Sequence, residues 1–452
     1  MERNELFETC PVPKAIMKLS LPTIIGMLVM VVYNMADTFF VGMTNDVNQV
    51  AAVTVTMPIF MLLMSLGTIF GVGGASCISR YIGSKEMDRA KTTSAISFYG
   101  SILLSLVYMI LVFVFMDKVL GIAGVTENTY SFSKSYLTVV TMGAPFIVLG
   151  FSLGQIARSE GLAKEAMVGM LLGTTLNIVL DPILIIGLKM GVTGAALATV
   201  VANIISVIYY IILISSKKSC LSISLKDLKL DKEIIKSILF IGMPASLNNL
   251  LMSISSVLLN NFAASYGDMV VAALGVANRI MLLPVMVLVG LCQGMQPLIG
   301  YNYASNNIKR MKEVLKFVSL VGTILGIGFT VFLLTFGGKM VSMFINDAET
   351  VKIGSDFIKI IVMSAPFLGV QFVLNNAFQA MGKAVPSLIL SISRQGLIFV
   401  PVLFIANSVL GLNGIVLAQP VADIITVLMS IILFIGVYKK ELRDTEEIKS
   451  IA

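Results

Sequence analysis

The 452-residue sequence predicts an all-α integral membrane protein of twelve transmembrane helices. They are expected in two six-helix bundles related by a pseudo-twofold axis along the membrane normal. Three observations carry this prediction: an apolar excess gathered into long blocks, an internal repeat, and a one-sided distribution of Lys and Arg.

Apolar residues make up 57% of the chain and charged residues 13%, against roughly half and a quarter in a soluble domain. The excess lies in blocks of about 20 residues or more, long enough to cross a ~30 Å hydrocarbon core at ~1.5 Å per residue. Inside hydrocarbon each backbone N–H and C=O must be satisfied within its own segment or in a closed barrel. The length of the blocks and the lack of strict alternation select helices. Spans are expected near 16–41, 50–79, 92–116, 134–157, 166–187 and 191–215, then near 234–262, 270–299, 313–337, 355–380, 384–408 and 411–437.

The second observation is a repeat at offsets of 220 to 222 residues. Leu21-Pro22 meets Met243-Pro244, and Ala144-Pro145-Phe146 meets Ala365-Pro366-Phe367. Gly191-Val-Thr-Gly-Ala-Ala-Leu-Ala meets Gly411-Leu-Asn-Gly-Ile-Val-Leu-Ala. Six spans per copy is an even number, so both copies enter from the same side, as in transporters built of parallel repeats. The expected organisation is an amino-terminal lobe (1–215), a polar Lys-rich linker (216–233) and a carboxyl-terminal lobe with its tail (234–452). A duplication of this kind implies a cavity between lobes and alternating access by rocking.

The third observation explains the net charge of +7. With the amino terminus inside, 25 of the 32 Lys and Arg residues fall in inner segments and 7 in outer ones. This is the positive-inside pattern, and it predicts a multi-pass plasma-membrane protein with both termini cytoplasmic. The basic runs suit anionic headgroups of the lipid bilayer, not nucleic acid. No cleavable signal is expected, because the polar start carries no short apolar stretch with a small-residue site. Cys10, Cys77, Cys220 and Cys292 lie far apart, with neither metal spacing nor a disulfide framework.

An ionisable group in hydrocarbon costs about 2.5–3.5 kcal/mol on insertion scales, so each one needs a reason. Asp37 lies near the outer end of the first helix. Asp181 lies in the fifth, ~9 Å below its outer end, with Asn177 one turn deeper on the same face. Pro182 cannot donate to the helix ladder and frees a carbonyl nearby. Thr199, in the sixth helix, sits at about the depth of Asn177. Two carboxylates in one low-dielectric site must share a proton, bind Na⁺ or pair with a base. The chain has no His, and no Lys or Arg falls in the core of these spans. Proton or Na⁺ binding is therefore expected at Asp37, Asn177, Asp181 and Thr199. The second half lacks the counterpart: Val400 stands opposite Asp181, and Asp423 is its one acidic residue well within a span.

These residues resemble a known family. Asp-Thr-Phe-Phe-Val-Gly at 37–42, Leu-Asn-Ile-Val-Leu-Asp-Pro at 176–182, Gly71-Val-Gly-Gly-Ala, Arg80-Tyr-Ile-Gly and Gly194-Ala-Ala-Leu-Ala-Thr are similar to the multidrug and toxic compound extrusion (MATE) transporters. The similarity runs from about Pro13 to Val437. It implies secondary active export of amphipathic, often cationic drugs, driven by inward H⁺ or Na⁺ and using no other cofactor. Among its branches the chain is similar to the bacterial multidrug group, whose coupling site lies in the amino-terminal lobe. The family roles carry over to Asp37, Asn177, Asp181 and Thr199, and a conformational role to Pro22. Another branch binds Na⁺ through acidic residues of the seventh and tenth helices; here those helices carry Asn248, Ser253, Asn375 and Asn376.

Substrate-cavity candidates are Asn34, Met57, Met61, Gln155, Asn248, Gln293 and Asn375, the methionines because a flexible thioether accepts many shapes. Gly322-Thr-Ile-Leu-Gly326 is expected to be a close helix contact. Gly71, Gly73 and Gly74 sit in an apolar span with no preceding strand, and no P-loop occurs, so ATP hydrolysis by this chain is not expected. Two alternatives stand beside an ion-coupled, monomeric exporter. A flippase for a lipid-linked saccharide would need a cationic cavity, and Arg279 and Arg394 are the main basic residues in the spans. An intramembrane enzyme would need Asp37 and Asp181 to act as an acid–base pair, with no nucleophile–base set to support it.

Overall fold

The computed structural model describes residues 5–44 and 46–451, with side chains as far as Val437 apart from that of residue 38. Among the described residues there is no strand. The membrane-crossing helices are α1 (Val12–Gly42), α2 (Val47–Gly83) and α3 (Met87–Val114), then, after the short α4 (Met116–Ile122), the pair α5 (Glu127–Met142) and α6 (Ala144–Ser159). Next come α7 (Ala163–Asp181), continued by a π-helical turn at Pro182–Gly187, and α8 (Gly191–Ser215). The second half holds α9 (Lys232–Ala264), α10 (Asp268–Ala304), α11 (Ile308–Ser342), the pair α12 (Ala348–Ile361) and α13 (Ala365–Ala380), the pair α14 (Ala384–Ile392) and α15 (Phe399–Leu410), and α16 (Leu412–Ile451). Eleven segments are long and apolar enough to cross a membrane, and α5 with α6 supplies the twelfth through a 54° bend. The predicted twelve spans all appear, several of them longer than the sequence blocks by a turn or more at the polar ends.

Local chemistry accounts for the boundaries. Asp46 caps α2 by accepting from Asn48 N at 2.9 Å. Thr126 and Thr129 cap α5 reciprocally. Pro22, Pro58, Pro244 and Pro420 lie inside helices, where each forgoes one ladder bond. Residues 216–231 connect α8 to α9, with one 3₁₀ turn at Leu225–Asp227. It is tied down by Tyr99 Oη, which donates to Ile223 O at 3.0 Å, and by Glu160, which accepts from Ser219 Oγ at 2.7 Å and from Cys220 N at 2.9 Å.

By packing, the chain falls into two compact units. One comprises Met1–Ser253, Val289–Val314 and Gln379–Gly382; the other comprises Ile254–Leu288, Leu315–Phe378 and Lys383–Ala452. This division cuts through α9, α10, α11 and α13, so it does not follow the sequence repeat. In the first unit a core gathers Leu63, Leu120, Leu137, Ile147, Ile185 and Val192. There α2 and α9 approach so closely that a Cβ on Gly73 would lie 2.2 Å from Ile238 O, and one on Gly242 1.9 Å from Ile69 O. The second unit packs around Phe357, Phe399, Leu403 and Ile415. Its Gly322 faces Gly369, and a Cβ on Gly326 would meet Ala365 O at 2.4 Å, which makes the small-residue pair the close helix contact its spacing predicts.

Candidate functional site

The helix α7 carries Asn177 and Asp181 one turn apart, and both are buried at 2% and 0% exposure. The Asn177 amide satisfies its neighbours when its nitrogen donates to Asp181 Oδ2 at 2.9 Å and its oxygen faces Thr199 Oγ1 at 3.2 Å. Thr199 is held on α8 within a regular ladder, its hydroxyl 3.1 Å from Ala195 O. With that proton directed at Ala195 or Asn177, the Tyr33 hydroxyl, 3.5 Å from Thr199 Oγ1, becomes the donor. Tyr33 precedes Asp37 by one turn of α1, and Asp37 is close enough for its charge to be felt at Asp181 and at Tyr136. The structure thus brings Asn177, Asp181 and Thr199 into direct contact and sets Asp37 within Coulombic range. Directly after Asp181 the backbone widens into the π turn that begins at Pro182, with Leu188 N donating to Ile183 O at 2.8 Å.

Chemically this is an oxygen-rich set with hydroxyl and amide groups around two carboxylates. Among the described residues no three His, Cys, Asp or Glu side chains cluster as they would for a transition metal. A carboxylate with neutral oxygen neighbours suits a proton or a hard monovalent cation. Tyr33 and Tyr136 were not singled out by sequence. Tyr33 had a signal in its one-turn spacing from Asp37, whereas Tyr136 is brought in from α5 and had none.

The cavity candidates separate. Gln155 and Gln293 meet in a narrow polar crevice of the first unit, lined also by Ala75, Arg158, Ser159, Gln296 and Pro297. Arg158 is 6% exposed, and its Nε donates to Gln155 Oε1 at 3.3 Å. Three buried amide atoms in this crevice, Gln155 Nε2, Gln293 Oε1 and Gln296 Nε2, have no hydrogen-bond partner among the described residues. Met57 and Met61 lie one turn apart on α2 and are 43% and 38% exposed. Asn34 is exposed on α1, and Asn248 is half-buried on α9. Asn375 belongs to the second unit, where its Oδ1 accepts from Ser387 Oγ at 3.4 Å. In that unit Arg394 and Asp423, which sequence noted separately, form an ion pair at 2.9 Å.

The family model described as MatE matches this chain twice, over residues 22–183 and 244–405. The chain belongs to the MatE family. The two matches are the two copies of the internal repeat, and membership makes the chain a multi-pass membrane transporter and not an enzyme. It is 35% identical to the multidrug export protein MepA of Staphylococcus aureus strain MRSA252 over 447 residues, 99% of each chain. It is 35% identical to the MepA of Staphylococcus saprophyticus over 432 residues, covering 96% of this chain and 95% of that one. Among solved structures, a MATE protein in complex with MaL6 superposes with a TM-score of 0.92 at 28% identity, covering 97% of this MATE chain and 100% of the other.

Proposed function

We propose that this MATE-family transporter exports amphipathic, often cationic drugs by antiport against H⁺ or Na⁺, with Asp37, Asn177, Asp181 and Thr199 as the coupling site. The observation that carries the reading is the buried Asp181, bonded to Asn177 and through it to Thr199, on two membrane-crossing helices. An ionised carboxylate at 0% exposure needs a compensating charge. Binding of a proton or Na⁺ supplies it, and the Asp37 charge nearby raises the demand. Drug and coupling ion then weaken one another, because linkage makes the effect reciprocal. The export named for the MepA relatives supports the substrate class.

In this reading the chain is a monomer with both termini cytoplasmic, following its Lys and Arg distribution. The two six-helix lobes are 1–215 and 234–452, with 216–233 between them. Pro22 and Pro182 are where α1 and α7 change shape. Drug contacts fall to Met57, Met61, Asn34 and the buried or half-buried amides Gln155, Asn248, Gln293 and Asn375. A lipid-linked saccharide flippase gains no support from the relatives.

The test is ethidium efflux from proteoliposomes under separately imposed Na⁺ and pH gradients, with the native chain, Asp37→Asn and Asp181→Asn. Loss of gradient-driven efflux in both variants supports the site, and the effective gradient names the ion. Unchanged efflux in both removes the coupling role, and scrambling of a lipid-linked saccharide without efflux would favour the flippase.

A further inference from the structure

Just before α1, three residues of a polar amino-terminal stretch are buried, while Glu5, Glu8 and Thr9 stay exposed. Glu5–Thr9 forms a single π-helical turn closed by Cys10 N donating to Glu5 O at 2.8 Å. Leu6, Phe7 and Cys10 are 3%, 1% and 2% exposed. Their partners come from the junction of α10 and α11, some 300 residues away in the chain. The Phe7 ring stacks on Tyr301 with centroids 4.9 Å apart and planes 15° from parallel. Tyr301 Oη donates to Glu8 Oε1 at 2.5 Å. Arg310, 9% exposed, spends its guanidinium on three main-chain carbonyls. Its Nε donates to Phe7 O at 2.7 Å, and its Nη2 donates to Cys10 O at 2.5 Å and Leu6 O at 3.3 Å. Asn302 Nδ2 adds a donation to Phe7 O at 3.3 Å.

The opposite wall comes from the first sequence half. Gly161 has φ +93°, and a Cβ there would lie 3.1 Å from Phe7 Cζ. The glycine thus serves both the left-handed backbone and the space Phe7 occupies. The turn is clasped between Gly161, at the end of α6, and the α10–α11 junction, all within one compact unit.

We propose that Glu5–Cys10 is a latch that holds the cytoplasmic side of the transporter shut and withdraws when that side opens; this rests on the orientation proposed above. A glutamate or aspartate on Arg310 would make a far more durable clasp. Neutral carbonyls hold a guanidinium less tightly than a carboxylate does. The clasp therefore combines many contacts with a breakable core, as a two-state element needs. Closing it buries Phe7 and lines up one arginine with three acceptors; opening it returns these groups to water.

The test uses Cys77, which is 1% exposed, packs with Ile234 and Ile238, and donates to Ser237 Oγ at 3.2 Å. In a chain whose other cysteines are replaced, Arg310→Gln is expected to raise maleimide labelling of Cys77 about tenfold, since it removes charge-assisted bonds from the closed form. An unchanged labelling rate overturns the latch, and this readout needs neither a drug nor a coupling ion. A second arm replaces all four native cysteines and bridges F7C to Y301C with a short bifunctional methanethiosulfonate. Ethidium efflux is expected to fall at least about tenfold on bridging and to return on reduction. Bridged protein that exports at the unbridged rate overturns the proposal, and this arm decides if Arg310→Gln fails to accumulate. If no form carries ethidium, the labelling arm decides.

Discussion

Arg394 Nε donates to Asp423 Oδ1 at 2.9 Å, joining the π turn at Ser393–Leu397 to α16 inside the second unit. The two side chains are 13% and 2% exposed. Gln419 Nε2 donates to the same oxygen at 2.9 Å, Ser364 Oγ donates to the other at 3.1 Å, and the Arg394 guanidinium lies 4.9 Å over the Phe372 ring. Removing one partner of such a pair leaves a buried charge uncompensated and costs about 3–5 kcal/mol, whereas replacing both by apolar groups costs much less. Arg394→Met and Asp423→Leu are each expected to lower the thermal midpoint in detergent strongly, and the double variant to recover most of the loss. A double variant as weak as the sum of the singles would contradict the pairing.

At the proposed coupling site, the Thr199 hydroxyl faces the Asn177 amide. Thr199→Ser keeps that hydroxyl and is expected to retain most efflux. Thr199→Val removes one of the two donors to the buried amide oxygen, the other being Thr199 N at 3.0 Å, at about 0.5–1.5 kcal/mol, and is expected to reduce efflux several-fold. Equal efflux from the two variants would assign Thr199 to packing alone.

The approach of α2 and α9 leaves no space for a methyl group. Gly242→Ala forces its new carbon against Ile69 O, so the backbone must move, and a loss of about 1–3 kcal/mol or more is expected. Gly328→Ala, with nothing within 4 Å of the added carbon, is expected to gain about 0.5–1 kcal/mol by removing a helix-interior glycine. Thermal midpoints of the two purified variants, compared with the parent, check both signs.

Asp347 caps α12, accepting from Thr350 Oγ1 at 2.7 Å and Thr350 N at 2.8 Å. These bonds hold its carboxyl below the usual carboxylate range. A lowered folded-state value means the stabilisation is complete above the unfolded value of about 4 and disappears as pH falls through the folded one. The difference in thermal midpoint between the native chain and Asp347→Ala should hold steady from pH 7 to about 5 and shrink below about 4. A difference that widens on acidification would reverse the sign.

The twelve spans were legible because hydrocarbon imposes length and apolarity on every crossing segment. The 54° bend between α5 and α6 was not, because Gly143 there reads like any other glycine in an apolar run. Asn177 and Asp181 were legible as a pair through their one-turn spacing, and Thr199 through its depth on the next helix. Arg394 and Asp423 were visible singly as charges in apolar spans. Their pairing depends on which faces of two helices turn towards each other, and a π turn resets that phase on the Arg394 side. The apolar residues Leu6 and Phe7 sit between Glu5 and Glu8, so the pattern suggests a solvated tail; contacts with Gly161 and with the α10–α11 junction, both far off in the chain, bury them.

The glutamine crevice beside Arg158 has an energetic consequence. Arg158 keeps its guanidinium at 6% exposure, and the amides of Gln155, Gln293 and Gln296 line the crevice beside it. A buried charge without compensation is costly, so these dipoles set how well it is tolerated. Exchanging them for apolar side chains would leave that charge stranded.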